Sequence, residues 1–140
     1  MIVPNYNHRR FLDRRIQSLL DQTYQDFELI LLDDASTDDS VGVLERYRTD
    51  PRVTIAVNVT NSGSPFRQWN RGVQLAHGVP LSVPCKAKNL FVPDASEFSA
   101  KITPRTRAIM LNFPTNPTGA TVTDQQLEAI ARVAVDNDLL

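Results

Sequence analysis

Cysteine is almost missing: Cys85 stands alone, which excludes an internal disulfide and a cysteine-based zinc site. Histidine occurs only at His8 and His77. No apolar run approaches the ~18 residues needed to span a bilayer, and no signal-peptide pattern is found, so a cytoplasmic protein with no membrane partner is expected. A net charge of −1 argues against nucleic acid held by bulk electrostatics. Linkers rich in glycine and serine, internal repeats and low-complexity stretches are absent, which predicts one continuous domain over residues 1–140. The chain is 41% apolar and 22% charged, the proportions of an ordinary globular domain with a single core.

The composition changes part-way. Residues 1–78 hold nine arginines and no lysine, whereas all three lysines, Lys86, Lys88 and Lys101, come later. Prolines crowd the second part, six of them between Pro80 and Pro117.

The apolar pattern predicts alternating strands and helices. Ile2-Val3 starts a buried strand. Phe11, Leu12, Ile16, Leu19 and Leu20 recur at helical spacing up to about Gln22. Phe27–Leu32 is a central strand, followed by a helix carrying Val41, Val43, Leu44 and Tyr47. Val53–Val57 is a third strand. Pro65 opens a helix that runs to about Ala76 with Gly78 as its cap. Leu81–Val83 and Arg107–Asn112 are expected as strands four and five, and Ser96–Lys101 as a short helix. Thr123-Asp124-Gln125-Gln126 is a capping box for a last helix burying Leu127, Ile130, Ala131 and Ala134. The expected fold class is α/β, a three-layer, doubly wound, Rossmann-like, mostly parallel sheet of about five strands in the order 3-2-1-4-5. Ligands of such sheets bind beyond the strand C-termini, here beside Asn5–Asn7 and the loop after Val83.

Three segments, Ile2-Val3-Pro4-Asn5-Tyr6-Asn7, Gln22–Glu28 and Ile30-Leu31-Leu32-Asp33-Asp34-Ala35-Ser36-Thr37-Asp38, occur in order. Asn61-Ser62-Gly63-Ser64 and Trp69-Asn70-Arg71-Gly72 follow. Together they resemble the nucleotide-binding half of family 2 glycosyltransferases, which have the GT-A fold. The resemblance implies that Pro4, Asn5 and Tyr6 hold base and ribose, and that Asp33 or Asp34 bonds a uracil-type base, as in UDP. A carboxylate accepts an imide N–H, and a tyrosine ring packs on a base. The structural alternative is that Asp34, Ser36 and Asp38 cap the helix that follows.

The family's next strand ends in an Asp-x-Asp pattern for a divalent metal, since hard cations need oxygen clusters. Here that stretch reads Val79-Pro80-Leu81-Ser82-Val83-Pro84-Cys85-Lys86, so no metal ligands are expected. From Gly78 onward the chain resembles another family. Gly78-Val79-Pro80, Ile102–Ile109 and Asn112-Phe113-Pro114-Thr115-Asn116-Pro117-Thr118-Gly119 are similar to the large domain of fold-type I, PLP-dependent aminotransferases. The resemblance implies that Asn116 bonds the pyridoxal 3′-oxygen. Its acid partner for the pyridine nitrogen and its Schiff-base lysine find no match, so PLP is not expected to bind.

The remaining candidates are bland. Arg9, Arg10, Arg14 and Arg15 read as a solvated helix face, His8 as a loop histidine and Cys85 as an inert thiol. The sequence therefore predicts a chimera, engineered as a folded scaffold with no intact catalytic site. The alternative is a residual UDP-type nucleotide-binding module. A monomer or a strand-edge dimer is expected.

Overall fold

The structure, a computed structural model, describes residues 1–140. The chain forms two compact units, Met1–Pro80 and Leu81–Leu140, divided just past the residue where the composition changes.

In the first unit, β1 (Ile2–Asn5), α1 (Arg9–Leu20), β2 (Leu29–Asp33), α2 (Ser40–Glu45), β3 (Val53–Val57) and α3 (Pro65–Leu75) alternate along the chain. The strands are parallel and lie in the order β1-β2-β3, with β2 in the centre. Every residue of β2 is buried, as a continuous apolar run requires of a strand covered on both faces.

Successive side chains go to opposite faces of this sheet. Val3, Leu29 and Leu31 join Leu12, Ile16, Leu19 and Leu20 of α1 and Val43 and Leu44 of α2 in one core. Phe11 is not part of it: 61% exposed, its ring lies 5.3 Å from the Arg10 guanidinium. Ile2 and Leu32 instead meet α3 at Gly72, where a Cβ would stand 2.5 Å from Ile2 Cγ2 and 3.1 Å from Leu32 Cδ1.

The α3 terminus differs by one residue from expectation. His77, not Gly78, takes the left-handed position, with φ 60°. Its N–H donates to Gln74 O (3.0 Å), and the Gly78 N–H reaches back to Val73 O (2.8 Å). These two bonds satisfy carbonyls that the helix end would otherwise leave unpaired.

At the sheet edge, Met1 O and Asn5 O accept from Ile30 and Asp34 N–H (2.8 and 2.9 Å). The backbone groups of Ile2 and Pro4 therefore point away from β2.

The second unit contains a short 3₁₀ turn (Ala87–Asn89), α4 (Ala95–Ser99) and α5 (Asp124–Asp136). Both helices start from complete capping boxes, Asp94 with Glu97 and Thr123 with Gln126. The expected fourth and fifth strands do not form, so the sheet has three strands rather than five. Leu81–Val83 lies between Pro80 and Pro84, and a proline lacks the N–H that a ladder uses. Around Ala108 the backbone pairs only with Leu140, through Ile109 N–H to Leu140 O (2.8 Å) and Leu140 N–H to Arg107 O (3.1 Å). With no sheet in this unit to cover, α5 buries Ile130 but leaves Leu127 and Ala131 exposed and Ala134 only half-buried. Val92, Phe98 and Ile130 are this unit's buried large apolar residues.

Candidate functional site

The C-terminal ends of β1 and β2 bring Asn5, Asp33 and Asp34 together, all of them buried. Asn5 Nδ2 donates to Asp33 Oδ1 (2.7 Å) and to Ser36 Oγ (3.2 Å). Asp33 also accepts from the Ser36 N–H at Oδ2 (2.8 Å) and from the Ser36 hydroxyl at Oδ1 (2.6 Å). Short side chains that bond backbone two or three residues on are the usual way to shape such a turn.

The loop after β1 is tied to the loop after β2 by Asn7. Asn7, at φ 55°, accepts from Thr37 N–H at Oδ1 (2.7 Å) and donates its own N–H to Ser36 Oγ (2.9 Å). Asp38 serves two helix starts, accepting from Arg9 N–H (3.0 Å) and Ser40 N–H (3.0 Å). The capping alternative thus falls to Asp38, while Asp34 bonds elsewhere.

Asp34 is held from the segment between β3 and α3. Its Oδ1 accepts from Asn58 Nδ2 (2.6 Å), Ser62 N–H (2.8 Å) and Gln68 Nε2 (2.7 Å), and its Oδ2 from the Ser62 hydroxyl (2.7 Å). Burial pushes the Asp34 pKa up, but the bonds from Asn58 and Ser62 and the nearby Arg71 charge outweigh it, leaving the carboxyl below its usual range. At neutral pH Asp34 is an anion, able only to accept hydrogen bonds.

Tyr6 follows this cluster and is 45% exposed, and Pro4 is half-buried. Of the residues singled out in the sequence, Asn5, Asp33 and Asp34 come together at the strand ends, with Pro4 and Tyr6 on either side of Asn5, whereas the sequence assigned no role to Asn58, Ser62 or Gln68. For Gln68 a signal was present: it lies four residues before Gly72, on the face of α3 that the sheet covers.

The second unit holds Asn116 apart from any such cluster. Asn116 is exposed in a turn closed by Thr115 N–H to Ala120 O (2.9 Å) and Gly119 N–H to Thr115 O (2.6 Å). Two concavities of ≈ 360 Å³ occur in this unit, one around Thr103, Arg107 and Asn137 and one around Lys88, Asp94 and Gln126; Asn116 lines neither. Lys86 is committed to Glu97 at 2.6 Å. No group of three or more His, Cys, Asp or Glu side chains is placed to hold a metal ion, and no helix is long and apolar enough to cross a membrane.

Residues 1–80 match the family model of glycosyl transferase family 2, and residues 58–140 match that of aminotransferase class I and II. The chain belongs to both families. Its composition is chimeric: glycosyltransferase first, aminotransferase second, with the two matches overlapping at residues 58–80.

Among aminotransferase relatives, the aromatic-amino-acid aminotransferase 2 of Thermococcus litoralis is 43% identical over 75 residues, 54% of this chain and 19% of that protein. Among glycosyltransferase relatives, the poly(ribitol-phosphate) beta-N-acetylglucosaminyltransferase TarS of Staphylococcus aureus is 32% identical over 80 residues, 56% of this chain and 14% of TarS. Crystal structures of TarS residues 1–349 superpose at TM-scores of 0.50 to 0.51 and 33% identity, covering 55% of this chain and 23% of that one. One such structure is a complex with UDP-GlcNAc, and another is a complex with UDP. The chain therefore spans only a small share of the curated relatives it matches.

Proposed function

We propose that this chimera performs no group transfer and that its glycosyltransferase unit is a nucleoside-diphosphate-binding module. The observation that carries the reading is Asp34, a buried anion held in place by Asn58, Ser62 and Gln68 at the end of the central strand. Its Oδ2 accepts a single hydrogen bond, so that oxygen has capacity for one ligand N–H. The exposed Tyr6 ring, next in sequence to Asn5, offers a face on which a base stacks. That solved structures of the similar TarS include complexes with UDP and UDP-GlcNAc supports nucleotide binding as the kind of activity. Val79–Lys86 has neither the acids nor the strand on which a metal-dependent transferase would rely, which supports the absence of group transfer.

Two-dimensional amide NMR of the whole chain, titrated with UDP and then GDP, tests this. Saturable shifts confined to Asn5–Asn7, Asp33–Ser36 and Asn58–Gln68, weakened by Tyr6→Ala with the remaining spectrum intact, are the expected result. Spectra indifferent to both nucleotides overturn it.

One observation favours a second reading, an engineered scaffold in which these acids only tie loops together. Asp33 accepts three hydrogen bonds from Asn5 and Ser36, and Asp34 accepts four. That scaffold predicts the indifferent spectrum.

A further inference from the structure

Phe11 falls outside the apolar stripe that α1 buries. Leu12, Ile16, Leu19 and Leu20 are covered, whereas Phe11 is 61% exposed. At about 100° of turn per residue, Arg14 lies on the side of the helix opposite that stripe, with Arg10 and Ser18 beside it. Phe11 and Arg15 occupy the adjoining flank. All five are exposed.

The charges around this face sort into two groups. Arg9 is paired with Asp39 (3.3 Å), and Asp13 with Arg46 (2.9 Å). Arg10, Arg14 and Arg15 enter no ion pair. Arg10 instead holds its guanidinium 5.3 Å from the centre of the Phe11 ring. Asp21, the acid on this side, lies two turns beyond Arg14 and accepts from Gln17 Nε2 (2.8 Å). The first turns of α1 thus present one phenyl ring among three unpaired cations, on a chain whose net charge is −1.

Such a face asks for an anionic partner that also takes up an apolar side chain. Nucleic acid is held through many phosphate contacts, and three cations supply few of them. A peptide docks into a groove or along a sheet edge, and this face is the convex side of a single helix. A bilayer interface meets both demands. Its headgroup layer moulds around a convex helix, its anionic lipids attract arginines, and a phenyl ring enters at the acyl boundary.

We propose that α1 is a peripheral contact for an anionic lipid surface, with Phe11 inserted at headgroup level and Arg10, Arg14 and Arg15 on the lipid anions. The face that the sequence offers as merely solvated then has an occupant. The contact is reversible, since one ring and three charges fall short of stable anchoring.

Sedimentation of the whole chain with vesicles tests this, using phosphatidylcholine alone and phosphatidylcholine with about a third phosphatidylserine. Binding to the anionic vesicles only, weakened by added salt, is the expected result. Replacing both flanking cations, by Arg14→Gln and Arg15→Gln, should weaken it about thirtyfold. Phe11→Ala should weaken it about tenfold and leave the dispersion of the amide spectrum intact, because the ring is outside the core. No binding to either vesicle, equal binding to both, or binding untouched by Phe11→Ala overturns the proposal. Binding to polyglutamate as tight as to the anionic vesicles also overturns it and assigns the face to an acidic protein.

Discussion

Gly72 and Ile2 meet so closely that a methyl group on the glycine would lie 2.5 Å from Ile2 Cγ2. This contact sets the approach of α3 to β1 and, one helical turn earlier, the position of Gln68 beside Asp34. Leu32 closes the same contact from β2, with Cδ1 at 3.1 Å.

Gly72→Ala is therefore expected to destabilise the first unit by about 1–3 kcal/mol, since adding a methyl to a packed contact forces side chains and backbone apart. Urea denaturation followed by circular dichroism measures it. An unchanged midpoint would mean that α3 shifts freely on the sheet.

Acid should loosen the site in a defined direction. The Asp34 pKa is lowered in the folded protein, so its contribution is fully present above the unfolded carboxylate value of ~3.9 and is lost as pH falls through the lowered folded value. Asp50, hydrogen-bonded to the Arg52 guanidinium, is held down at about 2 and adds stability of the same sign, lost as pH falls from ~3.9 through about 2. Asp34→Ala leaves four donors without their acceptor and is expected to cost roughly 2–4 kcal/mol at pH 7. The gap between this variant and the parent should narrow in denaturation curves recorded at decreasing pH below 4. A gap independent of pH would mean that Asp34 is not the anion described.

His77 offers a gain. A side chain at φ 60° pays a steric penalty that glycine avoids, and the two capping bonds at this helix end come from backbone N–H groups. His77→Gly should raise the stability of the first unit by roughly 1 kcal/mol, read as a higher thermal midpoint. A lower midpoint would show that the imidazole contributes more than its backbone position costs.

Local signals were legible in the sequence, and partnerships across the chain were not. The strand pattern of Val53–Val57 and the capping box at Thr123 are carried by residues within a few positions of one another. Arg107–Asn112 has the composition of a strand, yet a strand needs a partner along its length, and here Leu140 alone pairs with it. Helix α5 was expected to bury an apolar stripe, but that stripe presupposed a sheet. At the site, the residues after each strand were recognisable by resemblance. The grip of Asn58, Ser62 and Gln68 on Asp34 was not, because it is set by the packing of α3 at Gly72 and not by any spacing near Asp34.

Pro4 has a consequence for how this protein behaves in a crowded solution. Of the two β1 residues whose backbone faces outward, Ile2 offers an N–H, whereas Pro4 has none to give. A second chain laid along that edge would find its ladder broken after one rung. The border of the sheet is thus a poor template for self-copying, and concentrated samples should resist fibre growth from this side.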